Sequence, residues 1–239
     1  MKTWKMAGAI ATALAAMALT AGAAQANLVL NGDFSANASS YVTYPGYSIP
    51  TQSPANPTNP RNWVATNQVG VNGPGTGFYA SLGAPFAPGN TTGVRDFAFL
   101  QNASLNAPAS IEQTIATVSG QLYSLTYAAA QRNGNSGATM KVLVHDAANG
   151  NSTITFQNPG INSGSFGDFA LTFTAQSAST VIEFLNTTDI NGTYSDNTVD
   201  VSNVVLNAVP QPATVGLLGF GSLALIGGLA LRRRTATKL

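Results

Sequence analysis

Apolar residues recur at every second position in Tyr123/Leu125/Tyr127, Met140/Val142/Val144, Phe169/Leu171/Phe173, Ile182/Phe184 and Val199/Val201. Side chains along a strand alternate between its two faces, so this spacing marks strands with one buried and one wet face. No stretch sustains apolar residues at i, i+3, i+4 and i+7 over three turns, and Gly, Asn, Ser, Thr and Pro interrupt the middle of the chain at short intervals. Strands are expected near 121–131, 138–147, 152–157, 179–187 and 197–206. Asn133-Gly134 closes the first, Asn149-Gly150 joins the second to the third as a type I′ hairpin, and Asn191-Gly192 separates the last two. Many short strands with such turns predict an all-β fold, a single antiparallel β-sandwich of jelly-roll type over residues 27–208. A β-helix would need a fixed repeat period, and none is present.

Composition narrows the chemistry. The chain has no Cys and one His, His145, which excludes disulfides, thiolate metal sites, cysteine nucleophiles and any site needing two imidazoles. Only 8% of residues are charged, against about 25% in an ordinary soluble domain. Between Asn27 and Val209 the bases are Arg61, Arg95, Arg132 and Lys141, against all 9 acids. That stretch is acidic and has no clustered basic face, so no nucleic-acid partner is expected. A carboxylate pair, an oxygen-ligand metal site, or no catalysis remains.

The two ends have a different character. Residues 1–26 begin with Lys2 and Lys5, continue through an apolar stretch from Met6 to Leu19, and finish Ala24-Gln25-Ala26 before Asn27. This is the layout of a secretory signal peptide cleaved between Ala26 and Asn27. Ala213 to Leu231 carries no charge and is followed by Arg232, Arg233 and Arg234. As a helix it would span about 29 Å at about 1.5 Å per residue, one hydrocarbon core. The arginines set the stop, holding the basic tail 232–239 in the cytoplasm and exporting what precedes the span. Gly216, Gly219, Gly221, Gly227 and Gly228 make this transmembrane helix weak as a permanent anchor. Just before it, Val209-Pro210-Gln211-Pro212 can continue neither a helix nor a central strand, which predicts an extended, protease-accessible segment.

The string over 209–239 (motif 209–212, span 213–231, basic tail) closely resembles the PEP-CTERM sorting signal of Gram-negative bacteria, also labelled the ice-binding protein C-terminal domain. That family's motif has Glu where Gln211 stands. The resemblance implies an exosortase-like membrane enzyme as partner, an inner-membrane intermediate held by the helix, and delivery to the cell surface or to the exopolysaccharide of a biofilm matrix.

A second resemblance concerns the middle. Asn27-Leu28-Val29-Leu30-Asn31-Gly32-Asp33-Phe34-Ser35 with Trp63, then Ser110 to Ile115 followed by Gly120 to Tyr127 as a central strand pair, then Val199 to Leu206 as a last strand, resemble galactose-binding-like jelly rolls, the fold of several carbohydrate-binding modules. In that group a structural Ca²⁺ often pins the first and last strands, which implies Asp33 and Asp200 as its ligands here. Ser35 and Ser202-Asn203 stand where the family often has acids.

Asp33, Asp146, Asp189 and Asp196 lie within three residues of Gly, Asn or Ser and are expected to form turns. No acid sits in a recognisable catalytic string, and no G-x-S-x-G elbow accompanies His145, whose strand phase opposes Val142 and Val144 and turns it toward solvent or a groove. Tyr41, Tyr44 and Tyr47, followed by Pro50, Pro54, Pro57 and Pro60, offer rings with polar tips suited to stacking on sugars, while Trp63 is expected in the core. The reading is a non-enzymatic exported protein that is sorted through its tail and binds exopolysaccharide. Its rivals are a secreted hydrolase of glycans or lipids and a structural matrix protein that self-associates.

Overall fold

The computed structural model describes residues 27–36, 47–48, 60–73, 96–102, 108–132, 137–162, 166–188 and 197–210. In chain order the strands are β1 (Tyr47–Ser48), β2 (Val64–Thr66), β3 (Gln68–Asn72), β4 (Phe97–Gln101), β5 (Ser110–Ala116), β6 (Leu122–Gln131), β7 (Met140–Asp146), β8 (Ser152–Gln157), β9 (Gly167–Thr174), β10 (Ser179–Asn186) and β11 (Thr198–Ala208). They form two antiparallel sheets, ordered β1-β3-β4-β11-β6-β9 and β2-β5-β10-β7-β8. Among the described residues there is no α-helix and no helix long and apolar enough to cross a membrane. Residues 1–26 and 211–239, and with them the expected signal peptide and transmembrane helix, lie outside the described residues.

The expected alternation is what packs the sandwich. Met140, Val142 and Val144 of β7 are buried while Lys141, Leu143 and His145 are only half-buried. Ile111, Ile115, Ile182 and Phe184 from the five-stranded sheet meet Val69, Leu100, Leu125, Tyr127, Val199, Val201 and Leu206 from the six-stranded one. At the centre Phe184 lies edge-on to Tyr127, ring centroids 5.2 Å apart, and 6.1 Å from Trp63. Trp63 is buried as expected, packs on Phe34 at 5.6 Å and donates its indole N–H to the Asn31 carbonyl at 3.2 Å. Each such large side chain contributes roughly 2–3 kcal/mol by leaving water.

Two local expectations are corrected. Asn149-Gly150 does not form a two-residue turn: Ala147–Asn149 makes a 3₁₀ turn capped by the Asp146 carboxylate, and the left-handed residues are Gly150 (φ 60°) and Asn151 (φ 58°). Ser110–Ile115 and Gly120–Tyr127 are not a strand pair either. β5 bonds to β2 and β10, whereas β6 bonds to β11 and β9 in the opposite sheet. The Thr117–Gln121 link crosses between layers because both strands need a core face and neither can supply the other's.

The abundance of Asn has a structural use. The non-glycine residues with positive φ are Asn31, Asn62, Asn67, Asn151, Asn203 and Phe34. Asn tolerates the left-handed region better than other side chains, so it serves at sharp bends without glycine's entropy cost. The compact unit runs Gln25–Val209, so Val209 belongs with the sandwich and not with the tail.

Candidate functional site

In β11, Val199 and Val201 enter the core, so Asp200 and Ser202 face the other side of the six-stranded sheet. Across the strands Gly70, Phe99, Asp200 and Ala130 stand in one register row. Tyr47, Asn72 and Phe97 stand in a row beside it. In an ordinary sandwich this face is wet. Here it is buried: Phe97, Ala130, Asp200 and Ser202 are at most 1% exposed, and none of them belongs to the inter-sheet core.

Asp200 is the unusual group on that face. Among the described residues its Oδ2 has no hydrogen-bond partner. Burial pushes its carboxyl up to about 8, with Arg132 pulling weakly the other way. At neutral pH it is therefore protonated, able to donate as well as accept. Beside it the Ser202 hydroxyl donates to the Asp96 carbonyl at 2.6 Å, and Phe97 meets Phe166 edge-on at 5.7 Å. Aromatic rings, a carboxyl and small residues (Gly70, Ala128, Ala130) therefore pack as a second buried layer on the side of this sheet away from the inter-sheet core.

A second feature is a cleft of about 350 Å³ lined by Asn27, Val29, Asn31, Gly32, Asp33 and Asn203–Val205. It is chiefly a clasp between the chain start and β11. The Asn27 Oδ1 accepts from the Val29 and Leu206 amides at 3.0 and 2.9 Å, and its Nδ2 donates to the Val204 carbonyl at 3.3 Å. Buried Gln113 accepts from the Leu30 amide at 2.8 Å and donates to the Leu30 and Asn62 carbonyls, both at 2.9 Å. Gly32 is obligatory, since a Cβ there would stand 2.0 Å from the Val204 carbonyl oxygen.

The two carboxyls implied as calcium ligands have different surroundings. Asp33 is exposed in this cleft and accepts from the Ser35 amide and hydroxyl at 3.2 and 3.0 Å. Asp200 is buried in its strand row and protonated at neutral pH. The cleft's oxygen donors around Asp33 suit a hard cation, and Asp200 is not among the residues that line this cleft. Among the described residues no three His, Asp or Glu side chains group to hold a metal.

On the opposite sheet His145 is half-buried, its Nε2 3.2 Å from the Glu183 Oε2 and its Nδ1 3.4 Å from the Thr153 hydroxyl. Glu112 stands opposite Glu183 in register. Lys141 lies 4.3 Å over the Phe156 ring. These groups lie across one sheet face.

Of the other candidates, the Tyr47 backbone lies in β1, paired with Asn72, while Tyr41 and Tyr44 are outside the described residues, as are Ala24, Ala26, Gln211, Pro212, Arg232, Arg233 and Arg234. Val209 and Pro210 are described. The Val209 amide donates to the Leu122 carbonyl at 2.8 Å, and its carbonyl accepts from the Gln121 Nε2 at 2.7 Å. Gln113 and Gln121 carry no signal in the sequence, because their partners are 83 and 88 residues away.

A family model described as a protein of unknown function (DUF642) matches residues 100–206, a little under half the chain. No curated protein matches the chain in sequence. Among solved structures it resembles TmCBM61 in complex with β-1,4-galactotriose, at 11% identity and a TM-score of 0.46, over 77% of this chain and 100% of that one. The CBM22-1 xylan-binding domain of Xyn10C from Paenibacillus barcinonensis is 7% identical, with a TM-score of 0.43 over 70% of this chain and 94% of that one. The enzymatically active domain of tailspike protein 4 from bacteriophage CBA120 is 16% identical, with a TM-score of 0.46 over 77% of this chain. The chain spans about a fifth, 21%, of that tailspike domain.

Proposed function

We propose that this is an exported, non-enzymatic surface or matrix protein whose sandwich binds exopolysaccharide through the segment that carries Tyr41, Tyr44 and Tyr47. The observation that supports the reading is the two-sheet antiparallel sandwich with β1, which contains Tyr47, at the edge of the six-stranded sheet. Export follows from the signal peptide ending at Ala26, and delivery from the Val209–Pro212 motif, the apolar span and Arg232–Arg234, read by an exosortase-like enzyme.

The test is binding of residues 27–209 to exopolysaccharide from the producing cells, with calcium and again with chelator. Saturable binding that falls when Tyr41, Tyr44 or Tyr47 becomes Ala supports a matrix lectin, and absence of binding in both conditions overturns it. Calcium is proposed as a structural ion with Asp33 and Asp200 as candidate ligands, where chelation lowers the melting temperature and Asp33→Asn removes that effect. The competing hydrolase reading rests on the His145 contacts with Glu183 and Thr153. His145→Ala abolishes turnover under it and leaves glycan binding intact under ours.

A further inference from the structure

We infer that Asn149 is a site of spontaneous covalent modification, a deamidation that makes the tip of the β7–β8 hairpin acidic as the protein ages. Asn-Gly pairs start at Asn31, Asn72, Asn133, Asn149 and Asn191, and those at Asn133 and Asn191 lie outside the described residues. Glycine after asparagine lets the next amide nitrogen approach the side-chain carbonyl carbon, because no Cβ stands in the way. In sequence the pairs are alike. The fold separates them.

At Asn31 the carboxamide is held from both ends: its Nδ2 donates to the Arg61 carbonyl at 2.9 Å, and its Oδ1 accepts from the Ala36 amide at 3.0 Å. Gly32 is buried against the Val204 carbonyl. Asn72 and Gly73 are both buried, and the Gly73 amide donates to the Asn72 Oδ1 at 2.9 Å, so its proton is engaged. Asn149 differs on each count. It ends the Ala147–Asn149 turn, and Ala148, Asn149, Gly150 and Asn151 are all exposed. Among the described residues nothing binds its carboxamide. A Cβ at Gly150 would meet nothing within 4 Å, which leaves room for a ring and for water. A single 3₁₀ turn has poor hydrogen-bond geometry and opens readily at an exposed hairpin tip.

In the reaction the Gly150 nitrogen attacks the Asn149 Cγ. A C–N bond forms, the Cγ–Nδ2 bond breaks, and the proton from the Gly150 nitrogen leaves with Nδ2 as ammonia. Solvent water then opens the cyclic imide at one of its two carbonyls. One opening gives aspartate, and the other gives isoaspartate, whose backbone runs through the former side chain and is a methylene longer. Either product places a carboxylate in the turn capped by Asp146, whose Oδ1 already accepts from the Ala148 amide at 3.2 Å and from the Ser177 hydroxyl. Asp146 pairs with Ser152 beside this turn, and β8 is the edge strand, so the longer backbone loosens β8 first.

The purified full chain is incubated in mildly alkaline buffer, folded and in parallel in guanidinium, and deamidated peptides are counted by mass spectrometry. In the folded protein Asn149 is expected to convert roughly tenfold faster than Asn31 and Asn72, because only its turn opens locally. In guanidinium the advantage is expected to vanish. Gly150→Ala, which puts a methyl beside the attacking nitrogen, is expected to slow Asn149 by roughly tenfold. Its Asn31 and Asn72 rates report whether that variant is still folded, since unfolding would raise both. Equal rates at the three sites in the folded protein, or an Asn149 rate unchanged in Gly150→Ala, overturns the inference.

Discussion

At Asp200 the direction of pH dependence follows from its carboxyl lying at about 8 in the fold against 3.8 in the unfolded chain. Below about pH 4 both states are protonated and the group does not oppose folding. As pH rises toward 8 the unfolded chain gains the ionised form while the folded one cannot, so stability falls across that window and levels off above it. Urea titrations from pH 4 to pH 9 should show this decline, and Asp200→Asn should flatten it. Gly32 makes a second residue-scale case. Gly32→Ala drives a methyl into the Val204 carbonyl, and overpacking of that kind costs about 1–3 kcal/mol. A thermal melt should show a drop of several degrees, whereas Gly120→Ala, with no atom within 4 Å, strains only its φ of 80°.

Among elements, legibility in sequence tracked one-sided burial. β7 and β10, expected near 138–147 and 179–187, carry one face toward the core and run Met140–Asp146 and Ser179–Asn186, while β9 was read only from its Phe169/Leu171/Phe173 spacing. β3 and β4 were missed: Val69 to Asn72 and Phe97 to Leu100 are buried continuously, so no alternation survives to be read. The Val199-Asp200-Val201 pattern was read correctly as a strand, but it suggests a wet Asp. That its outer face is buried follows from long-range packing that no local spacing encodes. The clasp between chain start and β11 is likewise non-local. It predicts that Gln113→Ala, which strands the Leu30 amide and two carbonyls, costs about 2–3 kcal/mol in urea denaturation. Trp63→Ala should cost about 3–5 kcal/mol by opening a cavity between Phe34 and Phe184.

For the whole molecule, the two sheets offer two faces with different chemistry. The five-stranded sheet exposes Phe156 and Val64 around the half-buried His145 and Glu183. The six-stranded sheet buries aromatic rings around a neutral carboxyl. The deciding measurement is calorimetric titration of residues 27–209 with exopolysaccharide fragments, comparing Tyr44→Ala and Tyr47→Ala with His145→Ala and Glu183→Gln after each is shown to be folded by circular dichroism. At least tenfold weaker binding is expected for the first pair and wild-type affinity for the second. The reverse pattern, or equal binding by all four, would contradict glycan binding through the tyrosine segment.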